Sequence, residues 1–443
     1  MLSFFRIAWR NATLNWRHSL MAIISVAAGF VSLSIFQNYM LDVKHMYVKT
    51  YEQRFMYGQL IVEKKGAQQN RGIDSPAPEL NELDVREQAW IANYLSSHPS
   101  EVQKSVRFLK VFGMIGNGSA NTIFSGYGYD IQNGAELRKP NWEWNTLAGK
   151  PLQLSPQPNG IVLGVSLASI LGCEPEQKSH YLNGQGGYEA IERPFKCRQT
   201  GDFQLNVATE SGQANALTGS LVGIIDAAYK DLDTKFVAMP LEMAQTLMAT
   251  QKLSYISVQL SDSTDALSFA NKMRADASGA GIQLDVTRWQ DHPDGDLYVR
   301  TMSLLTIFRN FVVAVILVIA GLSVLSTMIK IVTERTREIG TLRSMGYSRH
   351  QVLALFALEV FLLSVIGIAT GLLTALASSW AINLIGLTYK AGMLTEPVPF
   401  RVAFSAPIYI SSAVFLVVIA TLAAVVPAYQ ATGRRVSELL THV

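Results

Sequence analysis

The most informative stretch of this chain is Thr333-Glu-Arg-Thr-Arg-Glu-Ile-Gly-Thr-Leu-Arg-Ser-Met-Gly-Tyr-Ser-Arg-His-Gln351. It is charged and lies between two long apolar runs. Over residues 331–345 its pattern is helical, with Ile339, Leu342 and Met345 along one side and polar residues on much of the rest. The apolar runs before and after it are each long enough to cross a membrane. The stretch therefore predicts a short helix at a membrane face, joined rigidly to two spans.

Two sequence signals mark the end of this short helix and the start of the next one. Gly346 is well placed as a C-terminal cap. Ser348-x-x-Gln351 is a capping-box pattern that begins the following apolar helix. Such an element can transmit a push from a bound partner. The plainer alternative is an interfacial helix that only shields the loop, and composition alone leaves the two nearly even.

Composition and hydropathy indicate a membrane protein. Hydrophobic residues make up 49% of the 443, and the mean hydropathy is positive, which argues against an ordinary soluble class. A spanning helix needs about 20 mostly apolar residues. Four segments qualify, at 20–41, 311–329, 353–386 and 408–430. Because the first run ends without a small-x-small cleavage site, we expect an uncleaved anchor rather than a signal peptide.

The distribution of Lys and Arg predicts the orientation of the spans. The amphipathic segment 1–19, the loop 330–352 and the tail 431–443 all carry an excess of basic residues. We therefore expect these three segments on the cytoplasmic side. Residues 42–310 and the short loop 387–407 then lie on the other side of the membrane.

The long segment 42–310 has globular composition and no run of spanning length. Its patterns predict strands at 59–63, 160–164, 220–225 and 282–286, and helices at 85–97, 241–250 and 265–277. The predicted fold class is therefore an α-helical membrane protein with four transmembrane helices plus a large mixed α/β domain between the first and second. The polar ends of the segment, 42–57 and 287–310, predict a helical stalk. Plain linkers are the alternative, but neither end has the Gly, Ser or Pro content of a flexible linker.

The chain has two cysteines, Cys173 and Cys197, and both lie in this external segment. An even number of cysteines in an oxidising compartment predicts a disulfide bond between them. Two buried free thiols are the alternative. The interval between them contains Gly184-Gln-Gly-Gly187, which is typical of a surface excursion.

Motifs for catalysis are absent from the sequence. There is no phosphate-loop pattern, no H-E-x-x-H, and no Cys and His at metal-ligand spacing. The net charge of +3 is small and follows from the topology, so a nucleic-acid partner is not expected. We expect neither an enzyme nor a metal-binding protein, and ATP hydrolysis would have to come from a partner.

Two features of the third span point to contacts inside the membrane. Glu359 lies about two turns from the cytoplasmic start of the span, and a carboxylate is costly there. Its depth is shallow, so it can extend to the membrane surface or pair with a nearby Arg such as Arg343 or Arg349, and we expect pairing in preference to a proton relay. Gly367-x-x-x-Gly371 permits close helix approach, either within the chain or across a dimer.

The order Glu338-Ile339, Leu342-Arg343, Gly346, Ser348 and Gln351 resembles the cytoplasmic coupling segment of FtsX-like permeases. This group includes MacB-type macrolide exporters and lipoprotein-releasing permeases. The stretches 57–62, 125–130, 160–172 and 427–440 resemble the same family. After residue 172 the chain departs from it, because the cysteine-bounded stretch stands where the family has a Gly-Asp turn and a further strand.

The resemblance implies a permease subunit of the bacterial inner membrane, with its large domain in the periplasm and no bound cofactor of its own. ATP and Mg would be held by a separate ABC ATPase. A second permease copy or a homologous permease, membrane lipid, and a periplasmic adaptor or carrier protein are the other implied partners. The residues implied in coupling to the ATPase are Glu334, Arg335, Arg337, Glu338, Ile339, Leu342, Arg343 and Gly346.

The implied work is the extraction or export of a lipoprotein or another amphiphile. The alternatives are a MacB-type exporter of peptides or small molecules, and a signalling permease that moves no substrate and regulates a periplasmic enzyme. Four spans are few to enclose a path, so a lateral opening between two copies is expected. Leu33, Phe36 and Phe311 are the candidates for lining it, with plain lipid-facing or helix-packing surface as the alternative for each.

Overall fold

The computed structural model describes residues 16–67, 82–155, 157–176, 188–389 and 398–433. The chain divides into two compact units. Unit 1 comprises Met1–His45, Thr301–Leu387 and Phe400–Val443, and unit 2 comprises Met46–Arg300 and Thr388–Pro399. Parts of several predicted segments lie outside the described residues, namely 1–15 of the N-terminal segment, 68–81, the glycine-rich 184–187, 390–397 and the tail from 434.

Within the described residues the α-helices follow one another in this order: α1 Trp16–Lys49, α2 Val85–Ser96, α3 Ile131–Leu137, α4 Val165–Ile170, α5 Lys230–Asp233, α6 Leu241–Met248, α7 Ala266–Gly279, α8 Asp296–Glu334, α9 Thr336–Ser344, α10 Arg349–Ile385 and α11 Ala406–Gly433. The strands are β1 Leu60–Lys64, β2 Val102–Gly116, β3 Asn121–Tyr129, β4 Thr146–Gly149, β5 Gly160–Gly164, β6 Cys173–Pro175, β7 Phe195–Cys197, β8 Asp202–Ala208, β9 Ala214–Ile225, β10 Phe236–Pro240, β11 Tyr255–Leu260, β12 Leu284–Arg288, β13 Thr388–Tyr389 and β14 Val398–Pro399.

Four helices, α1, α8, α10 and α11, are long and apolar enough to cross a membrane, which fits the four predicted spans. Helices α1 and α8 also extend well beyond their apolar runs: α1 reaches Lys49 and continues as a π-helical turn, Thr50–Arg54, and α8 starts at Asp296. The polar stretches 42–54 and 296–310 are therefore helical, as a stalk requires. Residues 287–295 differ from the prediction, because they form the end of β12 and two 3₁₀ turns.

Apolar side chains from all four long helices pack together in unit 1. One cluster contains Phe30 and Leu33 of α1, Ala320 of α8, Ala375 of α10 and Leu416 of α11. The small alanines allow the helix backbones to approach closely, which is how helices associate where lipid removes the hydrophobic driving force.

The glycine pair of α10 lies in a contact with α1. A Cβ added at Gly367 would lie 3.0 Å from the carbonyl oxygen of Ile23, and one added at Gly371 would lie 3.1 Å from that of Ala27. Both positions are tighter than ordinary side-chain contacts. Of the two predicted roles for this motif, the structure shows the contact within the chain.

Polar side chains fix the chain ahead of α11 in unit 1. The Asn383 amide donates to the Val402 carbonyl and accepts from the Val402 N–H, each at 2.9 Å. Asn38 of α1 accepts a hydrogen bond from the Ser405 N–H at 3.1 Å. Because unsatisfied backbone groups are costly near a membrane, these side chains stabilise the turn into the last helix.

Unit 2 is built on a ten-stranded mixed sheet. Nine strands follow the order β12-β1-β11-β2-β3-β10-β5-β9-β4, and the tenth, β8, lies off this path. Strand β8 pairs with both β2 and β9, so β2, β3, β10, β5, β9 and β8 form a closed ring of pairings. Closure of this ring reduces the number of exposed strand edges. The apolar core of unit 2 contains residues of the ring strands and also of β1, β12, α2 and α7. The mixed α/β character agrees with the prediction.

A disulfide bond joins Cys173 of β6 to Cys197 of β7, which are directly opposite each other in a small two-stranded sheet. Cys173 is fully buried and belongs to the main apolar core of unit 2. The bond therefore attaches both ends of the intervening excursion to the core.

Candidate functional site

The pattern over 331–345 predicted one continuous helix in the coupling segment between α8 and α10. The structure instead has two helices with a break between them. Helix α8 ends at Glu334, Arg335 has φ −99° and ψ 16°, and α9 begins at Thr336. The Thr336 hydroxyl donates to the carbonyl of Thr333 at 2.8 Å, which satisfies one orphan acceptor at the end of α8. The segment therefore contains a break at Arg335 that the hydrophobic pattern did not show.

The side chain at the break is held by an ion pair with the third span. Arg335 Nη1 donates to both carboxylate oxygens of Glu359 of α10, at 3.0 Å each. Arg335 is 5% exposed and Glu359 is 2% exposed. The expectation that Glu359 is paired is met, but its partner is Arg335, which corrects the choice of Arg343 or Arg349. The pair ties the start of α9 to α10.

Helix α9 has one face packed against the spans of unit 1. Ile339 is 1% exposed and joins an apolar cluster with Val332 of α8, Phe356 of α10 and Ala424 of α11. Arg343 is half-buried and its Nη1 donates to the Thr432 carbonyl at 3.3 Å. These contacts reach three other helices, so α9 cannot move alone.

The opposite face of the coupling segment is exposed and charged. Glu334, Arg337 and Glu338 are all exposed, and they lie at helical spacing on one side. Of the eight predicted ATPase-coupling residues, these three and the exposed Gly346 offer a surface. Arg335, Ile339, Leu342 and Arg343 are buried or half-buried, so in this structure they contact the rest of unit 1.

The sequence pattern placed Met345 on the apolar side of the helix with Ile339 and Leu342. In the structure α9 ends at Ser344, and Met345 is 64% exposed. Gly346 follows with φ +96° and open space around its Cα, which favours glycine because few other residues adopt this conformation. An exposed methionine is a flexible apolar side chain that suits a protein partner, and only the position of the helix end shows its exposure.

The start of α10 agrees with the sequence. The Gln351 N–H donates to Ser348 Oγ at 3.3 Å, and the Ser348 N–H donates to Gln351 Oε1 at 2.8 Å. This is the predicted capping box. It fixes the first turn of α10, which four residues separate from the end of α9.

The three lining candidates have different environments in unit 1. Leu33 is fully buried in the four-helix cluster, so here it is a packing residue, which corrects its expected lining role. Phe36 is half-buried, and Phe311 is 66% exposed. Phe36 and Phe311 remain available as lining residues.

Unit 2 contains a junction of aromatic residues at the ends of the two long helices, which the sequence analysis missed. Trp289 stacks on Tyr51 with ring centroids 4.8 Å apart, and its ring lies 4.7 Å from that of Tyr298. Its Nε1–H donates to Glu52 at 3.1 Å. Trp289 therefore contacts the π-helical turn after α1 and the first turn of α8 together.

A buried pair fixes the chain just after this tryptophan. His292 Nδ1 accepts a hydrogen bond from the Asp294 N–H at 3.1 Å, so Nε2 carries the proton that faces Glu63 of β1, at 3.1 Å. Both side chains are 1% exposed. The pair attaches the 3₁₀ turns before α8 to the central sheet.

Among the described residues, no group of three or more His, Cys, Asp or Glu side chains is arranged to hold a metal ion. Asp233 is a buried carboxylate with several donors around it: it accepts hydrogen bonds from the N–H groups of Val165, Ser166 and Ala227. Burial raises its pKa, against the lowering effect of these donors. Its contacts are all structural, and they fix the start of α4.

Residues 310–435 match the family model described as FtsX-like permease C-terminal. This region includes α9, both adjoining spans and α11. The chain therefore contains an FtsX-like permease domain, and its relatives are ABC transporter permeases.

Three of these relatives illustrate the kinds of protein that this chain resembles. The macrolide export ATP-binding/permease protein MacB of Brucella melitensis is 30% identical over 54% of this chain and 38% of its own length. The lipoprotein-releasing system transmembrane protein LolC of Xylella fastidiosa is 21% identical over 50% of this chain and 54% of its own. The Bacillus subtilis ABC transporter permease YknZ is 28% identical over 37% of this chain and 41% of its own. The chain thus spans about half or less of the length of these relatives.

The periplasmic region of MacB from Actinobacillus actinomycetemcomitans aligns with 56% of this chain and 92% of its own length, at 13% identity and a TM-score of 0.33.

Proposed function

We propose that this chain is the permease subunit of an ABC transporter, and that it couples ATP hydrolysis by a separate ATPase to movement outside the cytoplasm. The observation that carries the proposal is the two-faced coupling segment around α9. One face presents Glu334 at the end of α8 together with Arg337 and Glu338 of α9, and the other is held against the spans through Ile339 and the Arg335–Glu359 pair. A push on the exposed face is therefore passed to α8, α10 and α11.

In the proposed orientation α9 lies on the cytoplasmic side of a bacterial inner membrane, and unit 2 lies in the periplasm. The excess of Arg and Lys in the loop around α9 supports this arrangement. The disulfide bond in unit 2 supports it as well, because such bonds persist in oxidising compartments.

Two substitutions at the exposed face test ATPase coupling. Glu338→Arg reverses a charge, and Gly346→Trp adds bulk where the structure has open space. Both should reduce co-purification of the ATPase and its stimulated activity. The controls are Glu242→Arg, at an exposed position of α6, and Gly386→Trp, at another open glycine of positive φ at the far end of α10. Full ATPase capture and activity in both test variants would refute the coupling proposal.

The proposed cargo is a lipoprotein or another amphiphile that enters from the outer leaflet, with two permease copies, or one copy and a homologous permease, around two ATPase subunits. The support is the half-buried Phe36 and the exposed Phe311 on the two long helices α1 and α8. A photoreactive residue at Phe36 should capture a lipoprotein or lipid, and ATP should abolish the capture. Crosslinks to bulk phospholipid alone, unchanged by ATP, would favour a MacB-type exporter with an adaptor or a signalling permease.

A further inference from the structure

Unit 2 contains a cavity of about 620 Å³ with a strongly aromatic wall. Eight of its 16 lining residues are Tyr or Phe. They come from six separate parts of the chain: the turn after α1, the neighbouring strands β2, β3 and β11, the residue before α5, and β10. The volume lies within the range of about 300–1,000 Å³ that is usual for small-molecule sites.

The aromatic wall extends from a buried floor to an exposed rim. Tyr255 and Phe236 form the floor and are 2% and 4% exposed. Phe112 and Leu297 line the cavity as well and are 56% and 43% exposed. An apolar path therefore runs from the surface to the floor, and an exposed apolar path of this kind marks a binding site more often than a packing defect.

The charged residues of the wall cancel one another. Lys110 Nζ lies 2.7 Å from Asp294 and 5.3 Å from the centre of the Tyr255 ring, so its charge is already satisfied inside the wall. Lys230 and Asp231 are both exposed and carry opposite charges at the rim. The interior thus offers no unpaired charge to a ligand, which disfavours a charged occupant over its buried length.

We propose that this cavity binds the apolar chain of a single amphiphile, with the polar head group beside Lys230 and Asp231. The buried rings supply the apolar contact, and the mixed charges at the rim suit a polar head that remains in water. The proposal rests on the proposed function in one respect, which is that the protein handles amphiphiles.

The cavity is lined by residues at the ends of both long helices, α1 and α8. Tyr51 belongs to the turn after α1 and Leu297 to the first turn of α8, and both line the cavity. Trp289 contacts that turn through Tyr51 and the first turn of α8 through Tyr298. A shift of either helix end within unit 2 therefore changes the shape of the cavity, and with it the affinity for the chain.

The test uses the full-length protein in lipid nanodiscs and a palmitic acid that carries a diazirine and an alkyne. Label should map by mass spectrometry to peptides that contain Ser125–Tyr129 and Tyr229–Phe236, and unlabelled palmitic acid should compete. Ser125→Trp places a large ring in the cavity, and Ile123→Trp is its control, on the same strand and exposed outside the cavity. Ser125→Trp should reduce the label about tenfold at subsaturating probe, the affinity change that corresponds to about 1.4 kcal/mol.

A second variant covers the case in which Ser125→Trp does not fold. Leu232→Asp adds a charge at an exposed position of the rim and should also reduce the label. Equal labelling of the wild type and both variants, or label confined to α1, α8, α10 and α11, would overturn the proposal. ATPase capture by the same preparations is measured separately, so a wild-type protein that lacks the cavity label but captures the ATPase normally refutes only the cavity proposal.

Discussion

Arg335 Nη1 lies 3.0 Å from each carboxylate oxygen of Glu359, at the break where α8 ends and α9 begins. Both side chains are almost fully buried. A buried pair with this geometry fixes position more than it adds stability, because desolvation offsets much of the attraction. It therefore holds the coupling helix in one orientation against α10.

Breaking this pair on one side should be strongly destabilising. Glu359→Gln leaves a buried Arg335 charge without its carboxylate and should reduce the free energy of unfolding by about 3–5 kcal/mol. Glu338→Gln is the control, because Glu338 is exposed and its carboxylate lies as far as 4.0 Å from Arg335 Nε, so its ion pair is weak. The double variant Arg335→Met with Glu359→Leu should regain most of the stability. Thermal unfolding in nanodiscs measures all three, and a Glu359→Gln protein as stable as the control would contradict the role of the pair.

The indole N–H of Trp289 predicts a difference between two equivalent substitutions. Trp289→Phe removes the donor to Glu52 and should cost about 1.5–3 kcal/mol, the usual range for a hydrogen bond to a charged group. Trp144→Phe is the matched control, because the Trp144 Nε1–H is buried and has no hydrogen-bond partner among the described residues. Denaturant unfolding, followed by circular dichroism of the β-sheet of unit 2, should show a larger loss of unfolding free energy for Trp289→Phe than for Trp144→Phe. Equal losses would show that the hydrogen bond from Trp289 to Glu52 does not stabilise the aromatic junction.

Close packing of α10 on α1 predicts the effect of bulk at Gly371. Gly371→Leu should destabilise unit 1 by about 1–3 kcal/mol, because the added atoms would meet Ala27 and Phe30 of α1. Ala377→Leu, at an exposed position of the same helix, should be close to neutral. Unfolding in nanodiscs provides the comparison. A neutral Gly371→Leu would show that the two helices do not pack at this point.

Glu82 predicts a pH dependence of stability in unit 2. Burial, together with the charge of Glu210, raises its pKa from 4.5 to about 7, although Ser254 and Lys252 lower it. Between these pH values the folded state keeps a proton that the unfolded state releases, so the free energy of unfolding falls as the pH rises, by about 3 kcal/mol at most.

Hydrogen exchange of β11 measures this effect, since Ser254 lies directly before that strand. Protection should decrease from pH 4.5 to pH 7, after correction for intrinsic exchange, and Glu82→Gln should remove the decrease. Glu242→Gln, at an exposed position of α6, should leave it unchanged. A wild-type protein without the decrease would show that Glu82 is not a buried acid in solution.

Local patterns in the sequence predicted the elements that depend on local chemistry. The apolar runs located the long helices, and Ser348 and Gln351 predicted the capping box. Strand β5 and helix α2 have nearly the bounds that their patterns indicated. In each case the signal and the structure involve the same few residues.

The features that sequence could not supply depend on distant residues. Four arginines, at positions 335, 337, 343 and 349, precede Glu359 in this part of the chain, and only the break at Arg335 decides which one pairs with it. The closed ring of strands needs β8 to pair with β2, about 90 residues away, which no local pattern encodes. The aromatic cavity combines residues from 51 to 297, so it exists only after the sheet has formed.

We expect α9 to contact an ATPase directly. A photoreactive residue at Arg337, on the exposed face of α9, should crosslink in intact cells to a nucleotide-binding protein identified by mass spectrometry. One at Leu373, which is 70% exposed on α10, should crosslink to lipid instead. Capture of an ABC ATPase at Arg337 and of lipid at Leu373 is the expected result. Lipid alone at both positions, in cells that make the transporter, would refute the proposed coupling.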